Sequence, residues 1–316
     1  MVCAAGNEDI EEVRKLSTVY TIAGTTILDV SANVEVVKAA KNGIEAAYKI
    51  APTLGKEIKI EPYLNVSIGL KGDPHVRKAQ IDGDMCTKCG ECINICKQEA
   101  ITGAFIVKEY RCIGCGDCES ICNFNAITYI HKKSDFKNLL PQCVHFGTEI
   151  MELHAVTKDD DSVFIDWKVL NNIITDNFLS MCLDRSLLSN KHLIKRVKKA
   201  YAITGERFVV QADGTPMSGE RNDYNTTLQA VACTDIVQKS GIPVMILLSG
   251  GTNSKTGLLA KQCGVNANGV AIGSYARKIV KEFVKREDFD SNLDVLKRAV
   301  SIAEELIRSN IEALSG

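Results

Sequence analysis

Net charge is almost absent from this chain: 38 lysines and arginines stand against 39 aspartates and glutamates. A balance this close to neutral gives no electrostatic footprint for nucleic acid or for an anionic membrane surface. Long apolar runs are missing too, and none approaches the ~20 residues that span a bilayer. No Gly-x-Gly-x-x-Gly stands between a strand and a helix, so a Rossmann-type nicotinamide site has no support. The opening Val2-Cys3-Ala4-Ala5-Gly6 is already strand-like and leaves no room for a signal peptide, which makes a cytoplasmic location the expectation.

Cysteine, by contrast, is plentiful, with 13 in 316 residues. In a reducing compartment such a number points to metal ligation rather than to disulfides. Eight of the thirteen fall into two runs, Cys86-x2-Cys89-x2-Cys92-x3-Cys96 and Cys112-x2-Cys115-x2-Cys118-x3-Cys122, and the second repeats the first at an offset of 26 residues. Gly90 and Gly116, Ala100 and Ala126, and Ile101 and Ile127 repeat at the same offset. This is the spacing of bacterial two-cluster ferredoxins, in which the fourth cysteine of a run reaches the other cluster. The expected ligand sets for two [4Fe–4S] clusters are therefore Cys86, Cys89, Cys92 with Cys122, and Cys112, Cys115, Cys118 with Cys96. Zinc is the competing occupant, but paired zinc sites sit on separated knuckles rather than in runs of four. The proline that usually follows the fourth cysteine is replaced by Lys97 and Asn123, which removes no ligand.

Outside this segment, short apolar runs at 2–6, 25–31, 63–69, 149–156, 178–185, 207–213, 243–249 and 269–275 alternate with helix-like stretches. Read as nearly continuous apolar strands buried on both faces, they predict an α/β fold, a (β/α)8 TIM-like barrel. A ferredoxin-like α+β segment with two [4Fe–4S] clusters would be inserted after the third strand. The expected division is 1–72 and 134–316 for the barrel and 73–133 for the insert. Asn292 to Leu314 reads as a closing amphipathic helix.

In such a barrel the chemistry gathers at the C-terminal ends of the strands, where the cysteine segment also emerges. Gly250, Gly251, Thr252 and Asn253 after the seventh strand, and Gly273, Ser274 and Arg277 after the eighth, read as a phosphate site, with Lys278 as a supplementary cation. The alternative is that the glycines only permit tight packing. The Asp213 to Arg221 loop reads as a binding loop, with Ser218 and Gly219 available to an anion and Asp213 to a hydroxyl or amine. Glu152 and His154, two apart on one strand, share a face and are candidate acid–base partners. Asp29, Asn65, Ser67, Asp184 and Arg185 stand at other strand ends, while Cys3 and Cys182 read as small buried apolar residues. Lys71 to Lys78 reads as a charged linker.

The strings Asp73-Pro74-His75, Gln211-Ala212-Asp213-Gly214-Thr215-Pro216-Met217-Ser218-Gly219, Ser249-Gly250-Gly251-Thr252-Asn253 and Gly273-Ser274-Tyr275-Ala276-Arg277-Lys278, in this order around the cysteine runs, resemble the light-dependent period protein family of cyanobacteria and its bacterial relatives. The resemblance runs from Val2 to about Val280. It implies cluster ligation by the eight cysteines, a ligand loop at Asp213 to Gly219, and a role in passing cellular redox state to the circadian clock. Two functional readings follow. One is an oxidoreductase that moves electrons between a donor or acceptor protein and a phosphate-bearing small molecule, FMN or a phosphorylated substrate, in the barrel mouth. The other is a redox sensor that signals to a protein partner without turnover.

Overall fold

The computed structural model of the chain describes residues 1–4, 6–70, 73, 76–131, 136–214 and 221–315. Among these, β1 (Ile27–Ser31), β2 (Tyr63–Gly69), β5 (Ile150–His154), β6 (Leu179–Asp184), β7 (Phe208–Asp213), β8 (Met245–Ser249) and β9 (Gly269–Val270) form one parallel sheet in that order. The remaining two, β3 (Arg77–Ile81) and β4 (Ile127–His131), pair antiparallel in a separate sheet between β2 and β5 in sequence.

The expected eight strands become seven because, among the described residues of the first, 2–6, only Val2 makes a bridge. Val2 pairs in parallel with Asp29, and its N–H donates to the Ile272 carbonyl at 2.9 Å. Cys3 N–H donates to the Asp29 carbonyl at 2.8 Å, and Asp29 N–H donates to the Met1 carbonyl at 2.9 Å. The N-terminal segment is thus bonded both to β1 and to the backbone just past β9, so the sheet curls until its two edges meet this segment. The last strand is shorter than expected because a helix takes over at Ser274.

The strands themselves correct a second expectation. β1, β2, β5, β6 and β7 are buried almost throughout but alternate rather than running apolar, whereas β8 and β9 are only partly buried. Leu28, Val30, Leu64, Val66, Met151, Leu153, Met181, Leu183, Val210 and Ala212 belong to the main hydrophobic core. The intervening Asp29, Asn65, Ser67, Glu152, His154, Ser180, Gln211 and Asp213 are buried as well, and the two-residue period of a strand turns them to the opposite, inner face. The core therefore lies between sheet and helices, and the inside of the curl is polar. Buried polar groups in such number persist only if they satisfy one another.

Eleven helices are described: α1 (Ile10–Ile22), α2 (Val34–Ile50), α3 (Glu91–Ile95), α4 (Asp117–Ile121), α5 (Phe136–His145), α6 (Asp160–Ile173), α7 (Asn190–Thr204), α8 (Tyr224–Lys239), α9 (Thr256–Gln262), α10 (Ser274–Val284) and α11 (Leu293–Ser315). None is long and apolar enough to cross a membrane, among the described residues. The closest helix contact is α1 on α2. A Cβ at Gly43 would fall 2.3 Å from the Arg14 carbonyl oxygen and 2.7 Å from the Ser17 Cβ, and the Thr18 hydroxyl donates to the Gly43 carbonyl at 3.0 Å. Helix propensity alone would reward Gly43→Ala by about 1 kcal/mol, but the clash reverses the sign. The substitution is expected to lower stability by about 1–3 kcal/mol in urea titration.

The segment around β3 and β4 keeps the 26-residue repeat in its backbone. Lys88 and Gly114 have φ of 57° and 69°, Gly90 and Gly116 have 87° and 98°, and Glu99 and Asn125 both have 52°. Left-handed Gly90 and Gly116 each cap the start of a short helix, α3 and α4, a geometry that glycine adopts without steric cost. The Ile81–Ile127 pair of the two-stranded sheet is echoed by the bridge between Ile101 and Val107. This half-unit has its own small apolar cluster, containing Ala79, Ile101 and Ile127 together with Cys92, Cys112 and Cys118.

Candidate functional site

The eight cysteines divide into two sets of four. Cys86, Cys89, Cys92 and Cys122 line one cavity with Ile81, Phe105, Phe124 and Ile127. Cys96, Cys112, Cys115 and Cys118 line a second with Ala79, Ile101, Val107, Ile113 and Tyr129. An exchange of the fourth cysteine between the runs is thus visible in the linings of the two cavities. It arises because the 26-residue repeat sets α3 against α4 and carries each terminal cysteine to the far side. All eight are free thiols. They line the cavities from several sides, and among the described residues no three His, Cys, Asp or Glu side chains gather closely enough to hold a single metal ion. The walls suit an anionic, sulfur-ligated cluster. Ala79 and Ala100 N–H donate to the sulfurs of Cys112 and Cys96, each at 3.3 Å, and the Tyr129 hydroxyl lies 3.6 Å from Cys118 Sγ. Such donors stabilise thiolate and set cluster potential.

The two sets differ in depth. Cys89 is exposed, whereas Cys112 and Cys118 are buried. Between Cys112 and Cys115 stands Ile113, which lines both the second cysteine cavity and a separate cavity at the C-terminal ends of the sheet strands, the mouth. Arg77 and Lys78, expected in a solvated linker, instead hold this loop in place. Arg77 Nε donates to the Gly114 carbonyl at 2.9 Å, with its guanidinium 3.9 Å over the Tyr129 ring. Buried Lys78 donates to the carbonyls of Cys112 and Gly6 at 2.8 and 2.7 Å. Arg111 Nε donates to Asp9 at 2.9 Å, so the cysteine segment is fastened to the loop that follows the N-terminal bridge. Lys71, Gly72, Pro74 and His75 lie outside the described residues.

The mouth is lined by Asp29, Glu152, His154, Cys182, Gln211 and Asp213 from the strands, and by Gly250, Gly251, Thr252, Gly273, Ser274 and Arg277 from the following turns. Asp29, Glu152, His154 and Gln211 form a network with Asn65, Ser67 and Asp73. His154 Nδ1 lies 3.1 Å from Asp73 and its Nε2 lies 3.2 Å from Glu152. The other Glu152 oxygen accepts from Gln211 and lies 3.1 Å from the Ser67 hydroxyl, which is 2.5 Å from Asp29. Asn65 donates to the same Asp29 oxygen at 2.6 Å. Burial opposes charge on His154, but Glu152 and Asp73 outweigh it and hold the imidazole pKa well above its usual value. Burial, reinforced by Glu152, pushes the Asp29 carboxyl up to about 7. At neutral pH the network therefore contains a cationic imidazole and, at Asp29, a carboxyl whose proton is held far above the usual carboxylate range.

Cys182 is a residue that sequence reasoning passed over as buried apolar filler. Its thiol donates to Asp213 at 3.0 Å, and burial next to that carboxylate keeps the thiol protonated, with its pKa well above normal. The signal was available in the alternation, which puts residue 182 on the inner face with Ser180. Asp213 also fixes Gly250, where a Cβ would come within 1.6 Å of Asp213 Oδ1. Thr252 borders the mouth but donates its hydroxyl to the Ala271 carbonyl at 2.6 Å. Asn253 does not reach the mouth. Its amide bonds the Arg221 and Asp223 carbonyls at 3.1 and 2.8 Å, tying the turn after β8 to the start of α8. Asp184 accepts from Ser186 and Arg185 reaches Gln229, so both serve local structure. Arg277 borders the mouth while donating to the Val2 carbonyl at 3.0 Å. Ser218 and Gly219 lie outside the described residues.

Comparison with known proteins gives two family matches. Residues 143–309, more than half of the chain, match the light dependent period A C-terminal domain. Residues 79–102 match the 4Fe-4S binding domain. Light dependent period A of Synechococcus elongatus is 28% identical over an alignment covering 100% of this chain and 92% of that protein. Among solved structures, the YdjI aldolase of Escherichia coli K12 aligns at 9% identity and a TM-score of 0.44, covering 98% of this chain and 86% of that one. The carboxyl transferase domain of Rhizobium etli pyruvate carboxylase aligns at 12% identity and a TM-score of 0.44, covering 99% of this chain and 46% of that one.

Proposed function

Because the chain belongs to the light dependent period A family and carries a 4Fe-4S binding motif, we propose that it is an iron–sulfur oxidoreductase acting on a phosphate-bearing ligand in the mouth. The curled sheet is taken as a (β/α)8-type barrel closed by the N-terminal segment, with residues 73–133 as a ferredoxin-like insert after its third strand. Cys86, Cys89, Cys92 and Cys122 would hold one [4Fe–4S] cluster, and Cys96, Cys112, Cys115 and Cys118 a second. When bound, such clusters supply one-electron transfer at potentials tuned by N–H···S bonds and burial.

The observation that carries this reading is Ile113, which borders both the inner cysteine cavity and the mouth. It gives the path a direction. The outer set is entered at exposed Cys89, with Met85 and Phe124 exposed beside it, and there a donor or acceptor protein would dock. The inner set faces the mouth through Ile113. Within the mouth His154, held between Glu152 and Asp73, keeps a proton at the reacting end, and Asp213 orients a hydroxyl or amine of the ligand. The turns at Gly250–Gly251 and Gly273–Ser274, with Arg277, receive the phosphate of FMN or of a phosphorylated substrate.

Anaerobic purification, with iron and sulfide analysis and electron paramagnetic resonance, tests the cluster half of the reading. About eight irons per chain and two interacting reduced signals are expected, and zinc in the thiolate sets overturns it. Mass spectrometry of released small molecules, repeated on Asp213→Ala and Gly251→Val, tests the mouth. Loss of a phosphorylated compound or FMN from both variants is expected. Clusters retained with no ligand released from the wild type would favour the redox sensor.

A further inference from the structure

A second and larger cavity, of about 360 Å³, lies beside the mouth, between α1, α10 and the turn that follows Cys96. Ser274 and Arg277 border both cavities, so the two meet at the start of α10. Seven lysines and arginines face this groove against four carboxylates. Three of the cations, Arg277 and Lys281 on α10 and Lys285 at its C-terminal cap, recur every fourth residue. They make a single-faced ladder with steps of about 6 Å, leading away from the mouth. The lysines of this ladder already hold an anion: Glu99 lies 3.3 Å from Lys281 and is bonded by Lys285.

We propose that mouth and groove form one bipartite site for a small molecule with an extended anionic tail, a phosphoanhydride ester. Its reacting end would sit among Glu152, His154 and Asp213, and its tail would run along α10 in place of the Glu99 carboxylate. This rests on the phosphate-bearing ligand proposed above and narrows it to a class. A lone phosphate would engage only the first rung, whereas linked phosphates meet successive rungs with charge-assisted bonds.

Inorganic pyrophosphate and orthophosphate, titrated calorimetrically into the full-length protein under anaerobic conditions, test the proposal. Pyrophosphate is expected to bind at least about tenfold more tightly, the increment of one charge-assisted bond. Lys281→Met/Lys285→Met is expected to abolish that advantage. Glu99→Gln, which removes the internal competitor, should tighten pyrophosphate binding several-fold. A merely structural role for these residues would not produce opposite signs. Equal binding of the two anions, an unchanged advantage in the double variant, or weaker binding to Glu99→Gln would overturn it. Iron content measured on the same samples separates the two ideas. Clusters without pyrophosphate binding sink the groove alone, and pyrophosphate binding without clusters sinks the redox reading.

Discussion

Cys96→Ala is expected to remove the inner cluster and spare the one held by the other three cysteines of its own run. Iron should fall from about eight to about four per chain, and the surviving reduced signal should belong to the exposed set. Cys122→Ala should do the reverse, taking the outer cluster and leaving the inner. The reason is the exchange of fourth cysteines across the repeat: Cys96 lines the cavity of Cys112, Cys115 and Cys118, and Cys122 that of Cys86, Cys89 and Cys92. The two variants should also differ in access. With only the outer cluster left, beside exposed Cys89, reduction by a bulky protein donor should persist. With only the inner left, among buried Cys112 and Cys118, reduction should require a small mediator. Iron analysis and electron paramagnetic resonance, with circular dichroism to verify folding, decide the matter. If Cys96→Ala instead loses the signal of the exposed set, each run holds its own cluster and the exchanged assignment is wrong.

How much of this could be read from residues alone depended on the kind of pattern. The cysteine spacing was legible as a repeat, because the offset of 26 recurs in backbone conformation as well as in the cysteines, down to the matched left-handed residues Glu99 and Asn125. The strand positions were legible as apolar runs, but not their faces. Asp29, Ser67 and Glu152 were legible as polar strand-end residues, but not their hydrogen bonding to one another and to Gln211, because no local rule says that the inner side of a curled sheet is hydrogen-bonded rather than packed. Asp73 was illegible for a different reason. It sits 81 residues from His154 in sequence, on the segment joining β2 to β3, and only the tertiary fold brings the pair to 3.1 Å. The first strand was foreseen at full length, yet a segment held by one bond to Ile272 and a bridge to Asp29 is too short to extend. Asn253 illustrates the limit of glycine-rich motifs. The turn was placed correctly beside the mouth, but its amide is committed to the carbonyls of Arg221 and Asp223.

His154→Leu should be the costliest single change in the mouth. The imidazole lies between Asp73 and Glu152, both buried, and a leucine would leave two carboxylates without their shared cation. Breaking a buried charge set in this way costs about 3–5 kcal/mol. The sign of the pH dependence follows from the raised pKa. A histidine whose folded pKa exceeds its unfolded value contributes stability that is fully present below about 6.5 and is lost as pH rises through the folded value. Asp29 acts in the same direction, since its carboxyl, held up to about 7, keeps a proton in the fold that the unfolded chain releases near pH 4. Wild-type stability should therefore decline as the pH rises, through Asp29 between about pH 4 and 7 and through His154 from about pH 6.5 upward. In His154→Leu the two buried carboxyls can take up protons at low pH, so the deficit should be largest near pH 7 and shrink towards pH 5. Adding Glu152→Gln to His154→Leu removes one of the stranded charges and should recover part of the loss, making the pair less than additive. Urea titrations of the single and double variants at pH 5, 7 and 8 measure all three effects. A deficit below about 1 kcal/mol at pH 7, or one that does not change with pH, would mean that His154 is neutral and the network carries no stored proton.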